Sequence, residues 1–237
     1  MNPTIAYITV RGMLGRKRAL LLFALPAMLL LLVIGLKASD NATVSIQTAV
    51  LRQFALSTLL PLLALIAGTG VIGPEIDDGQ IMYIMTKPIS RPVIVMTKLA
   101  VAIALVFAFA VVPTFVAGLI LGNTEGLAFA FAFAVLIGGI AYCALFVALA
   151  VVSRFAVTIG LIYVLVWEVL IGNLAPGAKN LSIQQWSLSI VDRLTDASTV
   201  EAEVSLGTAG ILLLVVTVAG ALYASVRLRN LTIASAE

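Results

Sequence analysis

The run LAFAFAFAVLIGGIAYCALFVALAVV, residues 127–152, decides the fold class, and it holds no charged side chain. An α-helix needs about 20 mostly apolar residues to cross the hydrocarbon core of a bilayer. The Phe-Ala pairs from Phe129 to Ala134 alternate with period two, which in isolation reads as a strand. Length and chemistry argue otherwise. Barrel strands are about 10 residues long and alternate apolar with polar side chains, whereas both partners here are apolar. A helix satisfies its backbone hydrogen bonds within a single segment, as lipid requires.

Outward from this run, five further stretches of similar character cover 19–36, 54–73, 99–121, 155–173 and 206–226. Glu168 is the sole Asp, Glu, Lys or Arg within the six. Of the 237 residues, 62% are hydrophobic and 11% charged, against ~25% charged in soluble domains. The mean hydropathy of +1.18 agrees. So few charges cannot cover a water-facing surface. The expected fold is all-α, a polytopic membrane protein with six transmembrane helices in one domain, 1–237. The first span follows Arg16-Lys17-Arg18 as a signal peptide might, but its apolar core exceeds the usual ~7–15 residues, so it reads as an uncleaved helix. Residues 2–18 read as an amphipathic interfacial helix, with Ile5, Ile8 and Gly12 on one side and Arg11 and Arg18 on another.

Charge asymmetry orients the chain. With the N-terminus inside, Arg11, Arg16, Lys17, Arg18, Lys87, Arg91, Lys98, Arg154, Arg227 and Arg229 face the cytoplasm. Lys37, Arg52, Lys179 and Arg193 face out. Both termini are then cytoplasmic, residues 74–98 form an inner loop, and 174–205 form an outer segment. The net charge of +3 and pI of about 9.2 come from these flanking residues, and no basic face with interleaved aromatics points to nucleic acid. The single cysteine, Cys143, excludes an intrachain disulfide, and the chain has no histidine. With no histidine and no intramembrane Asp, an intramembrane protease is disfavoured.

The inner loop reads GPEIDDGQIMYIMTKPISRP over 73–92. Three acids come first and Lys87, Arg91 and Lys98 follow, the order that complements a helix dipole. A short helix over about 75–86 is expected, interrupted by Pro88 and Pro92. Ile81, Met82, Ile84 and Met85 give it an apolar face suited to a groove on a partner, and methionines repack readily there. Glu75, Asp77 and Asp78 diverge around such a helix, so no metal site is expected.

The pattern Glu75-Ile-Asp-Asp78-Gly79-Gln80, then apolar residues, then Lys87-Pro88-Ile-Ser-Arg91, resembles the coupling loop of ABC-type-two exporter permeases. Gln80 departs from the Thr or Ser often found there. The amphipathic N-terminal segment, the outer segment before the last span, and Tyr163-Val-Leu-Val-Trp167-Glu168 with Pro176-Gly177 and Leu181-Ser-Ile-Gln-Gln-Trp186 are similar too. The resemblance implies a membrane subunit of an ATP-driven exporter that dimerises with a second permease subunit, identical or similar. It implies docking on a separate ABC ATPase through the 74–92 loop, with Glu75, Asp78, Gly79, Ile81, Met82, Lys87, Pro88 and Arg91 as ATPase-coupling residues. No G-x-x-x-x-G-K-[ST] phosphate loop occurs in the chain. No cofactor is expected here, and ATP and Mg would be bound by the partner. The expected location is the inner (plasma) membrane of a bacterium.

Within the spans, Glu168 is the costliest residue to bury. Arg52, at comparable depth near the outer start of the second span, is the expected partner of an intramembrane polar pair. Pro26, Pro61 and Pro113 predict bends, and Gly118 with Gly122 a close helix approach. Leu181, Trp186, Ile190 and Leu194 predict an apolar side resting in the outer interface. The competing function is a stand-alone ion-coupled transporter or channel, which would show more intramembrane polar groups or broken helices.

Overall fold

The computed structural model describes residues 3–15, 19–39, 43–73, 75, 91–122, 126–171, 179–195, 200 and 202–231. All regular elements among them are helical. Helix α1 is Pro3–Leu14, α2 is Ala19–Ala38 and α3 is Val44–Gly70. Helix α4 covers 91–121, α5 is Leu127–Val152 and α6 covers 156–171. Helix α7 is Ile183–Leu194 and α8 is Leu206–Leu231.

Five of these are long and apolar enough to cross a membrane: Leu20–Ala38, Val44–Gly70, Pro92–Leu121, Leu127–Val152 and Leu206–Leu228. The span expected at 155–173 is the exception. Its described helical stretch covers 156–171, and 172–173 lie outside the described residues. Among the described residues five helices thus reach spanning length, and the sixth expected span is described over 156–171 alone. Two boundaries also move. Helix α3 begins at Val44, ten residues before the apolar run, because the polar Gln47 and Thr48 are buried against protein. Residues 91–98, expected within the inner loop, are the first turns of α4.

Helix α5 is the hub. It packs against α3, α4, α6, α7 and α8, and small residues let them approach. At Gly68 of α3 a Cβ would lie 2.8 Å from the Phe146 Cβ, and at Gly139 one would lie 2.8 Å from Val106 of α4. At Gly220 of α8 a Cβ would lie 2.8 Å from the Ala144 carbonyl oxygen, and Gly138 is filled by the Ser187 hydroxyl of α7. Close backbone approach is how helices associate where lipid gives no hydrophobic drive. Gly118 does mark a close approach: its missing Cβ would lie 2.5 Å from the Ala128 Cα. Gly122 instead ends α4 in a left-handed conformation, φ 115°, which glycine adopts without steric cost.

Two prolines sit just beyond widened, π-helical turns. Leu51–Leu59 precedes Pro61, and Phe107–Val111 precedes Pro113. A proline ring removes a donor and crowds the carbonyl one turn back, and the wider turn upstream relieves that crowding. Pro26 is accommodated within α2. Helix α2 leans on the second widened turn through an edge-to-face Phe23–Phe109 contact, centroids 4.8 Å apart.

Candidate functional site

Two polar nodes stand out in this apolar bundle. The first closes the base of the inner loop. Lys98 is wholly buried, and its Nζ donates to the Val71 carbonyl and to Glu75 Oε1, each at 2.6 Å. Val71 is the C-cap of α3, so the ammonium satisfies a carbonyl that the helix end leaves open. Lys98 lies about two turns into α4. The ion pair thus ties the end of the second long helix to the start of the third.

Helix α1 braces the same base. Met13 is buried against Gly70, where a Cβ would stand 2.5 Å from its Sδ, and α1 also packs on α4. The inward face of α1 is Ile5, Thr9 and Met13, at spacing i, i+4, i+8, with Thr9 Oγ1 bonded to the Ile5 carbonyl. This corrects the expected grouping of Ile5 with Ile8 and Gly12, since Ile8 and Gly12 are exposed. Burial follows the residues that reach α3 and α4, and small Thr9 fits there where Ile8 does not face the bundle.

The second node surrounds Glu168, which is 1% exposed. Its Oε1 accepts from the Tyr163 hydroxyl at 2.9 Å and from the Ile183 backbone N–H at 3.2 Å, and its Oε2 accepts from the Ser182 hydroxyl. Ser182 is the N-cap of α7, and its Oγ accepts from Gln185 N. The carboxylate therefore sits at the positive end of α7. The Tyr142 hydroxyl is buried without a hydrogen bond of ordinary geometry, yet lies within electrostatic reach of Glu168. Both indoles hold the approach to α7: Trp167 Nε1 donates to Leu181 O at 3.3 Å, and Trp186 Nε1 to Asn180 O at 2.9 Å.

This node overturns two expectations. Glu168 and Arg52 form no ion pair, and the carboxylate is satisfied by the start of α7 instead. Nor does α7 rest an apolar side in the interface. Every residue from Ser182 to Val191 is buried, including Gln184, Gln185, Ser187 and Ser189, while Leu181 and Leu194 are exposed. The helix enters the bundle and seats Ser187 against Gly138, near the middle of α5. Ser187 and Ser189 bond to their own helix carbonyls at Ile183 and Trp186, which lowers the cost of burying them.

Of the expected coupling residues, Glu75 is placed in the Lys98 ion pair. Asp78, Gly79, Ile81, Met82, Lys87 and Pro88, and the helix expected over 75–86, fall on 76–90 and lie outside the described residues apart from Glu75 itself. Arg91 opens α4, with its side chain outside the description. The sequence reading missed Lys98 as a clamp and Ser182 as a cap. A signal for the second was present: Ser182-Ile-Gln-Gln185 is a capping-box pattern. Among the described residues no cluster of three or more metal-ligating side chains occurs. Both nodes hold helix ends in place.

A bundle of long apolar helices with a buried clamp under one loop and a further helix folded back into its interior is the architecture of a polytopic membrane protein. Residues 14–174 match the family model described as ABC-2 family transporter protein, and the chain belongs to that family. The match runs from the end of α1 through α6. It characterises the chain as a transporter membrane component of the ABC permease type, not itself an ATPase. No curated protein matches the chain.

Proposed function

We propose that this chain is the permease subunit of an ATP-driven ABC exporter, crossing the membrane six times with both termini in the cytoplasm. It pairs with a second permease subunit and docks on a separate ATPase through residues 74–92. Glu75, Asp78, Gly79, Ile81, Met82, Lys87, Pro88 and Arg91 carry that contact or shape it, and ATP and Mg act in the partner.

The observation that supports this reading best is the Lys98 clamp. A push on 74–90 is useful only if the loop does not fold away from the helices it joins. Lys98 bonded to both Val71 and Glu75, with Met13 wedged on Gly70, gives the loop a stiff base from which force passes to α3 and α4. Glu75 thus serves the coupling from behind the contact.

The test is site-directed cross-linking. The native Cys143 is buried, so Ile81→Cys or Met82→Cys supplies the accessible thiol. Either variant is expected to cross-link to an ATPase that copurifies with the chain, and ATP is expected to change the yield. Recovery of the assembled complex with no nucleotide-hydrolysing protein cross-linked would overturn the coupling assignment.

A further inference from the structure

An apolar groove of ≈ 520 Å³ runs between α5, α7 and α8, bounded by Phe133, Ile137, Ile190, Leu213 and Leu214. Its size falls within the ~300–1,000 Å³ of small-molecule sites. One charged side chain lines it: Arg193, in the last turn of α7. The neighbouring Asp192 is exposed but takes no part in the lining. Thr217 also lines the groove, with its hydroxyl bonded to its own helix carbonyl at Leu213.

The groove lies at a definite end of the bundle. The C-terminal half of α8, at Ala221 to Val226, borders Pro92 and Met96 at the start of α4. The N-terminal half of α8, which forms the groove, is therefore at the end away from Lys98 and the inner loop. An apolar trough along membrane-crossing helices, lined by a single guanidinium, matches an acyl chain carrying an anionic head group. Arginine is suited to phosphate, which it can bind with two parallel N–H donors. A second groove of ≈ 320 Å³, between α4 and α5, sharpens the contrast: Phe107, Val111, Phe115, Phe129 and their neighbours line it with no charged residue, so nothing there selects a head group.

We propose that the α5–α7–α8 groove is a binding site for an anionic phospholipid, its tail along Phe133, Ile137 and Leu213 and its phosphate on Arg193. Occupancy holds α7 against α8 in the half of the bundle opposite the coupling loop. This inference does not rest on the proposed ATPase partnership.

Gly210 makes the test clean. It lines the groove, and a Cβ there would meet nothing within 4 Å, so Gly210→Leu starts its side chain in open space and directs it into the trough. The full chain would be reconstituted in nanodiscs holding equal phosphatidylglycerol and phosphatidylcholine of the same acyl chains, and retained lipid counted by native mass spectrometry. Wild type is expected to retain phosphatidylglycerol over phosphatidylcholine by about fivefold, the preference one basic residue gives for an anionic lipid. Arg193→Gln abolishes the preference, Arg193→Lys restores most of it, and Gly210→Leu removes the retained lipid. Equal retention of the two lipids by wild type, or a preference that survives both Arg193→Gln and Gly210→Leu, overturns the proposal. A change of oligomeric state in Gly210→Leu with lipid retention unaltered also overturns it, by showing the groove to be a protein interface.

Discussion

Lys98 and Glu75 stand 23 residues apart in sequence and 2.6 Å apart in space, on opposite stems of one loop. Lys98 has no exposed surface and Glu75 keeps 18% of its side chain exposed. The cation is thus the buried member, and the acid is its link to the loop. Removing one partner of a buried pair costs about 3–5 kcal/mol, because a charge is left uncompensated. Glu75→Ala is expected near the lower end of that range, since Val71 still accepts from Lys98. Replacing both, as Glu75→Leu with Lys98→Met, should recover much of the stability without recovering coupling. Thermal unfolding in detergent reads the first quantity and ATPase stimulation the second. Equal stability of Glu75→Ala and wild type would show that the pair does not hold the loop base.

Glu168 is expected to matter for stability and Arg52 is not. Glu168→Ala strands the Ser182 hydroxyl and the Ile183 N–H, at about 1–3 kcal/mol for each buried group. Glu168→Gln keeps one acceptor and should lose less. Arg52→Gln should cost less than either, because the carboxylate takes its hydrogen bonds from Tyr163, Ser182 and Ile183. Melting temperatures of the three variants in one detergent decide this. A loss in Arg52→Gln as large as in Glu168→Ala would restore the pairing of the two residues.

The seat of α7 can be tested at Gly138. A methyl group there collides with the Ser187 hydroxyl, whose Cβ would also lie 3.2 Å away. Gly138→Ala is expected to destabilise by about 1–3 kcal/mol, as overpacking does. Ser187→Gly in the same chain should return most of that loss, and Ser187→Ala less of it. A double-mutant cycle by thermal unfolding gives the coupling directly.

At Gly70 the prediction concerns α1. Gly70→Leu would occupy the place of the Met13 thioether. Met13 then leaves its pocket, and α1 loses a main attachment to the bundle. Limited proteolysis should cut at Arg11 faster in this variant than in wild type, while the far end of the bundle, read by cleavage at Arg193, stays unchanged. Equal rates at Arg11 would show that α1 is held by other contacts.

The sequence by itself determined that this chain is a bundle of apolar helices, because a run such as 127–152 has no alternative that satisfies its backbone in lipid. It also determined that the acids and bases of 73–92 form the chemically distinct segment, and it pointed to the transporter family that the chain belongs to. Hydropathy could not show where α3 begins or that α7 dives inward. Gln47, Gln184 and Gln185 look like surface residues until neighbouring helices bury them. The partners of Lys98 and Glu168 were decided only in three dimensions. A buried charge takes whichever donors or acceptors the fold delivers, and here those were a helix end at Val71 and a helix start at Ile183, neither of which is encoded by the side chain at its position.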